Sequence, residues 1–234
     1  LSHTSGVPDE GTSKCTIDAR KWTTAHGVDP LWAPPGRLFN YSNGGYLLAG
    51  LALDEITGAP FTDTIRDRIL VPSGMTTATF DIGEAMAGDH TSGHHRNSDG
   101  TITTFDFSSY DCPTMHAWGG MMASVVDYAH LAEKFLAFGG GVLKPTSLQA
   151  MEGVQAQTGW TPEETYGYGT YAYPWRGVNV VGHDGYLEGW KTSWLLVPEK
   201  RFAAIVFFNG DARSPEQFTL GTIDTFLALT ASPP

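Results

Sequence analysis

The sequence predicts an α+β fold, in which an antiparallel sheet is flanked by helices and accompanied by a mainly helical region. Two observations predict it. Apolar residues recur at helical spacing in the first two thirds of the chain, and aromatic or β-branched residues recur at strand spacing after residue 166. Helices first and antiparallel strands afterwards are typical of this class. We therefore predict one domain over 1–234, with a mainly helical region over about 1–160 and C-terminal strands with a closing helix over about 161–234.

The helical region is predicted from apolar patterns that are separated by glycine- and proline-rich turns. Four helices are expected, near 16–25, 44–57, 60–70 and 125–138. Ser42 or Asn43 can cap the second of them, because both side chains accept hydrogen bonds from the first helical N–H groups. Ser124 and Asp127 have capping-box spacing before the fourth helix, with Asp in place of the usual Glu or Gln.

The sheet is predicted from four short apolar segments, and a closing helix is predicted over 216–229. The expected strands are 166–173, 178–182, 191–197 and 202–209. Pro198-Glu199-Lys200-Arg201 joins the last two as a hairpin turn.

Residues 81–115 are polar and predict a solvated loop that borders a cleft. Three histidines and two aspartates lie in this segment: His90, His94, His95, Asp89 and Asp99. None of them has the helical spacing of a H-E-x-x-H zinc motif. We therefore expect no metal, and no other cofactor is indicated.

The charge and the cysteines limit the possible partners. The net charge is −11, from 14 basic against 25 acidic residues, which argues against nucleic acid and anionic membranes as partners. No apolar run reaches membrane-spanning length. Cys15 and Cys112 either pair across a long loop or remain two independent thiols. The chain opens at Leu1 without Met, as a trimmed or fragmentary product would. Its location stays open, with an extracytoplasmic or secreted one slightly favoured.

The stretch Tyr41-Ser42-Asn43 lies at a loop-to-helix junction, where polar side chains can face a cleft. It resembles the second active-site motif of the serine β-lactamase and penicillin-binding-protein superfamily, in the branch of class C β-lactamases, D-alanyl-D-alanine carboxypeptidases and esterases. Leu1-Ser2-His3-Thr4-Ser5-Gly6 resembles the L-x-H-T-S-G segment of that branch, and the helical run from Tyr41 to Met75 is also similar to it. The resemblance implies a β-lactamase/transpeptidase-like fold.

The stretch His183-Asp184-Gly185 resembles the third motif of the superfamily, on the strand that lines the active site. A glycine there allows the backbone to approach a substrate closely. His183 alone would more often be a structural histidine. Its order after Tyr41 favours a site residue, which could lower the pKa of a nearby phenol when protonated.

The resemblance implies a serine hydrolase that cleaves an ester, amide or β-lactam through an acyl-enzyme, with a small-molecule ester, amide or D-peptide as its substrate. Tyr41 and His183 would be catalytic, with Tyr41 relaying the proton. Asn43 and Gly185 would bind the substrate. Asp184 replaces a common Ser or Thr, and a carboxylate facing the cleft would favour neutral substrates over anionic ones; facing away, it would matter little.

One motif of the superfamily is missing from these residues. No Lys follows a Ser by three positions, so the Ser-x-x-Lys nucleophile is expected in an N-terminal segment of the same protein. That segment would also supply strands to the sheet, so the N-terminal part of the fold is expected to lie outside this chain. Ser5 is a less favoured substitute. The alternative is a non-catalytic binding protein or inactive fragment that keeps the fold.

Overall fold

A computed structural model describes residues 1–9, 19–27, 29–110 and 112–231. Helices predominate up to residue 152, and a six-stranded sheet follows. The helices are α1 (Ala19–His26), α2 (Asn43–Thr57), α3 (Phe61–Ile65), α4 (Val71–Ser73), α5 (Ile82–Ala87), α6 (Val125–Leu136), α7 (Pro145–Glu152) and α8 (Pro215–Thr230). A π-helical turn, Arg66–Leu70, joins α3 to α4, and short 3-10 turns cover Phe107–Tyr110, Pro113–Met115 and Pro198–Lys200.

The strands form two antiparallel sheets. The small sheet is the hairpin β1 (Gly93–Arg96) and β2 (Ile102–Phe105). The large sheet consists of β3 (Ala156–Gln157), β4 (Thr165–Tyr166), β5 (Tyr171–Trp175), β6 (Val178–Leu187), β7 (Trp190–Val197) and β8 (Phe202–Phe208). Each of its strands pairs with its sequence neighbour, in the order β3-β4-β5-β6-β7-β8. The predicted α+β class, with an antiparallel sheet flanked by helices, is confirmed.

Helices cover both faces of the large sheet. On one face Ile223 of α8 packs against a cluster that includes Val180, Leu195 and Ala204. On the other face α6 and α7 contribute Phe135 and Leu148, which pack on Leu196, among other residues. Alternate residues of β7 therefore belong to different core clusters, as the two-residue period of a strand requires.

The two strongest helix predictions are confirmed, and local caps explain both. The Ser42 side chain accepts from the Gly45 N–H at the start of α2, and Gly58 ends the helix in a left-handed conformation. Ser124 and Asp127 form the predicted capping box of α6. Of the helix predicted near 16–25, residues 16–18 lie outside the described residues, and α1 covers the remainder.

Two predictions about elements were wrong, and one helix was missed. The strand predicted over 166–173 is two strands, because Gly167 N–H bonds to the Thr170 carbonyl and Gly169 turns the chain at φ +86°. The segment 81–115 is not a plain loop, since it holds α5, the hairpin β1–β2 and two 3-10 turns. Helix α7 was not predicted, because its Pro-Thr-Ser start is typical of a turn.

The remaining observations concern the cysteines and the membrane. Cys112 is buried and disulfide-bonded, so the open alternative of a free thiol is excluded at that position. Cys15 lies outside the described residues. Within the described ranges, no helix combines the length and the apolar character needed to cross a membrane.

Candidate active site

A single large cavity of about 2200 Å³ gathers all four residues that the sequence singled out. Tyr41, Asn43, His183 and Gly185 line it, together with many apolar and aromatic residues. Tyr41 and Asn43 reach it from the start of α2, whereas His183 and Gly185 reach it from β6. The ring centroids of Tyr41 and His183 lie 6.2 Å apart. The predicted meeting of the two motifs at one cleft is thus present in the structure.

Tyr41 lies just before the N-cap Ser42 and is partly exposed to the cavity. Burial of part of the ring raises the pKa of the Tyr41 phenol, and the nearby Asp9 carboxylate raises it further. With only the described residues around it, the Tyr41 phenol is therefore protonated at neutral pH. A proton-accepting role for Tyr41 needs a cation from elsewhere.

His3 packs directly on Tyr41, and sequence reasoning did not assign it to the site. The two rings are stacked with centroids 3.9 Å apart. His3 Nδ1 accepts a hydrogen bond from the Ser42 N–H at 2.9 Å, so Nε2 carries the ring proton of the neutral form. That Nε2 is buried without a hydrogen-bond partner among the described residues. The only signal for His3 in the sequence was its place in the L-x-H-T-S-G segment.

The environment of His3 keeps its ring uncharged. Burial lowers the pKa of His3 to about 4, and a proton on the nearby His183 would lower it further. The residue also has a left-handed backbone, with φ +53°. Such a conformation is costly for a side chain with a Cβ and persists only where the surroundings fix it.

His183 is neutral as well, whereas from the sequence we expected a protonated ring that could lower the pKa of a phenol. Its Nδ1 donates to the Asp184 carbonyl oxygen at 2.6 Å, so Nε2 accepts from the Tyr166 hydroxyl at 2.9 Å. Burial lowers the pKa of His183. A protonated His183 that lowers the pKa of Tyr41 is therefore not supported. Tyr166, buried at the start of the β4–β5 turn, is the direct partner of His183.

Asn43 is held by a carboxylate at the start of α2. Asp9 accepts from the Asn43 backbone N–H at 2.6 Å, from the Asn43 side-chain amide at 3.3 Å and from the Gly44 N–H at 3.3 Å. A negative charge at a helix N-terminus is favourable because the first N–H groups there lack helical partners. Among the described residues no hydrogen bond reaches Asn43 Oδ1, so this oxygen can accept from a substrate group.

The glycine at position 185 has a steric explanation that the sequence did not reveal. It pairs with Thr192 of β7, and a Cβ on Gly185 would lie 2.4 Å from the Thr192 hydroxyl oxygen. A side chain at position 185 would therefore have to displace Thr192, whether or not a substrate approaches. Thr192 itself lines the cavity.

The Asp184 side chain lies on the sheet face covered by α8, opposite to the face of His183. It pairs with Ser193, whose hydroxyl bonds to Thr219 of α8, whereas His183 pairs with Trp194 on the face covered by α6. The Asp184 charge raises the pKa values of Tyr173 and Glu216, after the larger effect of burial on each. Since its side chain belongs to the α8 face, the expected preference for neutral substrates loses its basis in Asp184.

Ser5 and Ser42, the serines of the two N-terminal motifs, have structural roles. Ser42 is buried and caps α2. The Ser5 hydroxyl accepts from the Val7 N–H at 3.3 Å, and Ser5 does not line the cavity. Neither serine is placed as a nucleophile.

Comparison with known proteins gives one family and several relatives. Over 188 residues the chain is 26% identical to the "Unguisins hydrolase ungD'" of Aspergillus campestris. The aligned segment covers 76% of this chain and 34% of that protein. The chain thus spans about a third of the length of this curated relative.

Two solved structures share the fold. The octameric penicillin-binding protein homologue from Pyrococcus abyssi matches with a TM-score of 0.89 at 24% identity, over 97% of this chain and 55% of that one. A D-stereospecific amidohydrolase from Streptomyces sp. matches with a TM-score of 0.77 at 21% identity, over 100% of this chain and 72% of that one. The family model described as Beta-lactamase matches residues 1–225. The chain belongs to the β-lactamase family.

Proposed function

We propose that this chain is part of a serine hydrolase that cleaves an ester, amide or β-lactam through an acyl-enzyme. The observation that carries the proposal is the placement of Tyr41 and His183 on one cavity wall, with ring centroids 6.2 Å apart. The two residues come from distant parts of the chain, and family membership supports their joint role.

In the proposed reaction a serine Oγ attacks the substrate carbonyl while Tyr41 Oη takes its proton. The proton then passes to the leaving group as the bond to the carbonyl carbon breaks, which leaves the acyl-enzyme. Water attacks the acyl group in the second half, and its proton returns by the same route to the serine.

Tyr41 needs a cation to act as a base, because its pKa is raised. His3 and His183 are both neutral near pH 7, since burial lowers the pKa of each. Among the described residues, Lys191 is the only Lys or Arg that lines the cavity, and its amine lies over the Tyr186 ring at 5.3 Å. We assign the missing charge to the lysine of a Ser-x-x-Lys helix in a preceding segment of the same protein.

The other residues position the reacting groups. His3 fixes the ring of Tyr41 by stacking, and Tyr166 fixes His183 through its hydroxyl. Asn43, held by Asp9, would orient the substrate amide or ester. The backbone N–H after Gly185 would donate to the oxyanion.

The test compares residues 1–234 with the complete protein. Both are treated with a fluorophosphonate and with a fluorescent penicillin, and the intact mass is measured. We expect a single adduct on the complete protein, mapped to the serine of a Ser-x-x-Lys sequence, and none on residues 1–234. An adduct on residues 1–234 would show that the nucleophile lies within this chain.

The absence of Ser-x-x-Lys from these 234 residues also favours a second candidate, a non-catalytic binding protein with the same fold. Complete protein that gives no adduct, yet binds a penicillin or ester reversibly, would support this candidate over the hydrolase.

A further inference from the structure

Trp160 exposes a large apolar surface beside the candidate proton relay. Its side chain is 59% exposed and lines the cavity. Its ring centroid lies 6.3 Å from that of Tyr41 and 5.4 Å from that of Phe39, against which it packs edge to face. An indole exposed at a cavity wall offers a flat apolar face to whatever enters the cavity.

The loop that carries Trp160 is fixed by local hydrogen bonds. Thr158 donates from both its N–H and its hydroxyl to the Glu164 carbonyl, at 3.2 and 3.3 Å. The same hydroxyl accepts from the Trp160 N–H at 3.2 Å. The loop therefore has a defined shape, and the position of the indole follows from it.

The loop is also tied to the site itself. It joins β3 to β4, and β4 ends at Tyr166, whose hydroxyl bonds to His183. Phe39, the edge-on neighbour of Trp160, lies two positions before Tyr41 and packs against the core cluster that includes Tyr166. Trp160 is thus held at a fixed place relative to both Tyr41 and His183.

The charges on the cavity wall limit what the indole can bind. Among the described residues that line the cavity, Glu84 and Asp89 carry carboxylates and Lys191 carries the single amine. Asp184 also lines it, but its side chain belongs to the sheet face covered by α8. Lys191 is already placed over the Tyr186 ring. A group with a negative charge gains little from these described residues, whereas an uncharged aromatic or alkyl group can pack on the indole.

We propose that Trp160 forms an apolar subsite next to Tyr41, which binds the aromatic or alkyl part of an uncharged ester or amide. This inference rests on the proposed hydrolase function, and it names the class of substrate that the site selects. Trp160 determines specificity and has no part in the bond-breaking step.

The test uses the complete protein and two neutral esters, benzyl acetate and methyl acetate, whose leaving alcohols have similar acidity. Trp160→Ala should raise KM for benzyl acetate about 2- to 10-fold, which is the range of one aromatic contact. The constants for methyl acetate should stay unchanged, and Trp160→Phe should restore most of the lost affinity for benzyl acetate.

A second readout needs no hydrolysis. Benzyl alcohol, which is neutral and has no ester bond to hydrolyse, is titrated into the complete protein while the intrinsic fluorescence is measured. The Trp160→Phe variant should lose most of the fluorescence change that the wild type shows. Saturable binding of benzyl alcohol without ester turnover would support the subsite and contradict the hydrolase, so the two proposals fail separately.

Trp32 offers a matched control, because its side chain is 60% exposed and does not line the cavity. Trp32→Ala should leave both esters and the titration unchanged. The subsite is refuted if Trp160→Ala changes both esters equally, if Trp32→Ala has the same effect, or if acrylamide cannot quench Trp160 in the unliganded complete protein.

Discussion

The imidazole of His3 stacks on the phenol of Tyr41, with ring centroids 3.9 Å apart and ring planes 26° apart. The same imidazole accepts a hydrogen bond from the Ser42 N–H, so one side chain fixes both the ring of Tyr41 and the loop before α2. His3 is buried, Tyr41 is partly exposed and both rings are neutral, which has consequences for stability and for activity.

The first prediction concerns stability as a function of pH. The pKa of His3 is about 4 in the folded chain and about 6.5 when unfolded, so the unfolded chain binds more protons between these values. Stability should therefore fall as pH drops from about 6.5 to 4, by on the order of 3 kcal/mol from this residue. Urea unfolding at pH 7.0 and pH 4.5 measures it. His3→Phe keeps an aromatic ring and should show a smaller difference; an unchanged difference contradicts the assignment.

The second prediction concerns the proton relay. In the complete protein, Tyr41→Phe should lower kcat/KM for an ester by about 10²- to 10⁴-fold, because a positioned proton acceptor is lost. Thermal unfolding should change little, since the ring remains. Tyr168 is the matched control, being 37% exposed against 36% for Tyr41 and not lining the cavity. Comparable losses in Tyr41→Phe and Tyr168→Phe would remove Tyr41 from the mechanism.

The third prediction separates two reasons for the glycine at position 185. Gly185→Ala should destabilise the chain by about 1–3 kcal/mol, because the new Cβ meets the Thr192 hydroxyl. In a Thr192→Ala background the same change should cost less, which a double-mutant cycle of unfolding free energies would measure. Additive effects would mean that the contact does not matter. Activity that stays low when stability is recovered would point to a close approach of the substrate.

The fourth prediction concerns Asp184. Its charge raises the pKa of Glu216, after the larger effect of burial, so the two carboxylates repel each other. Asp184→Asn should therefore stabilise the chain at pH 7 by on the order of 1 kcal/mol. The gain should shrink at pH 4, where Glu216 binds a proton. A loss of stability at pH 7 would contradict this account.

The same variant tests specificity. Because Asp184 belongs to the sheet face covered by α8, Asp184→Asn should change kcat/KM equally for a carboxylate-bearing ester and for its methyl ester. A selective gain for the carboxylate would return Asp184 to the substrate site.

The sequence was sufficient for the elements that local chemistry determines. The caps at Ser42 and Ser124 and the glycine after Thr57 marked α2 and α6 closely. The hairpin β1–β2 was missed because its strands are polar and mostly exposed, without an apolar face. It is held by tertiary contacts instead, such as the His95–Asp211 hydrogen bond at 2.6 Å.

The site was predictable only in part, because tertiary contacts also determine some of its properties. Tyr41, Asn43, His183 and Gly185 follow from their motifs, and the structure places all four on one cavity. The charge on His183 could not be predicted, because burial and its bonds to Tyr166 and the Asp184 carbonyl determine it. His3 and Trp160 meet Tyr41 only through the folded chain.

The sequential strand order has a consequence for how the chain folds. Every strand of the large sheet pairs with its neighbour in sequence, so the sheet can assemble from short loops that close quickly. Tyr41 and His183 are 142 positions apart (183 minus 41), and their contact closes a far longer loop. We expect amide protons of β6 and β7 to gain protection before those at the start of α2, which pulse-labelled hydrogen exchange would detect. A chain with these six strands paired would then still lack its site, and the site would form after the sheet and open before it.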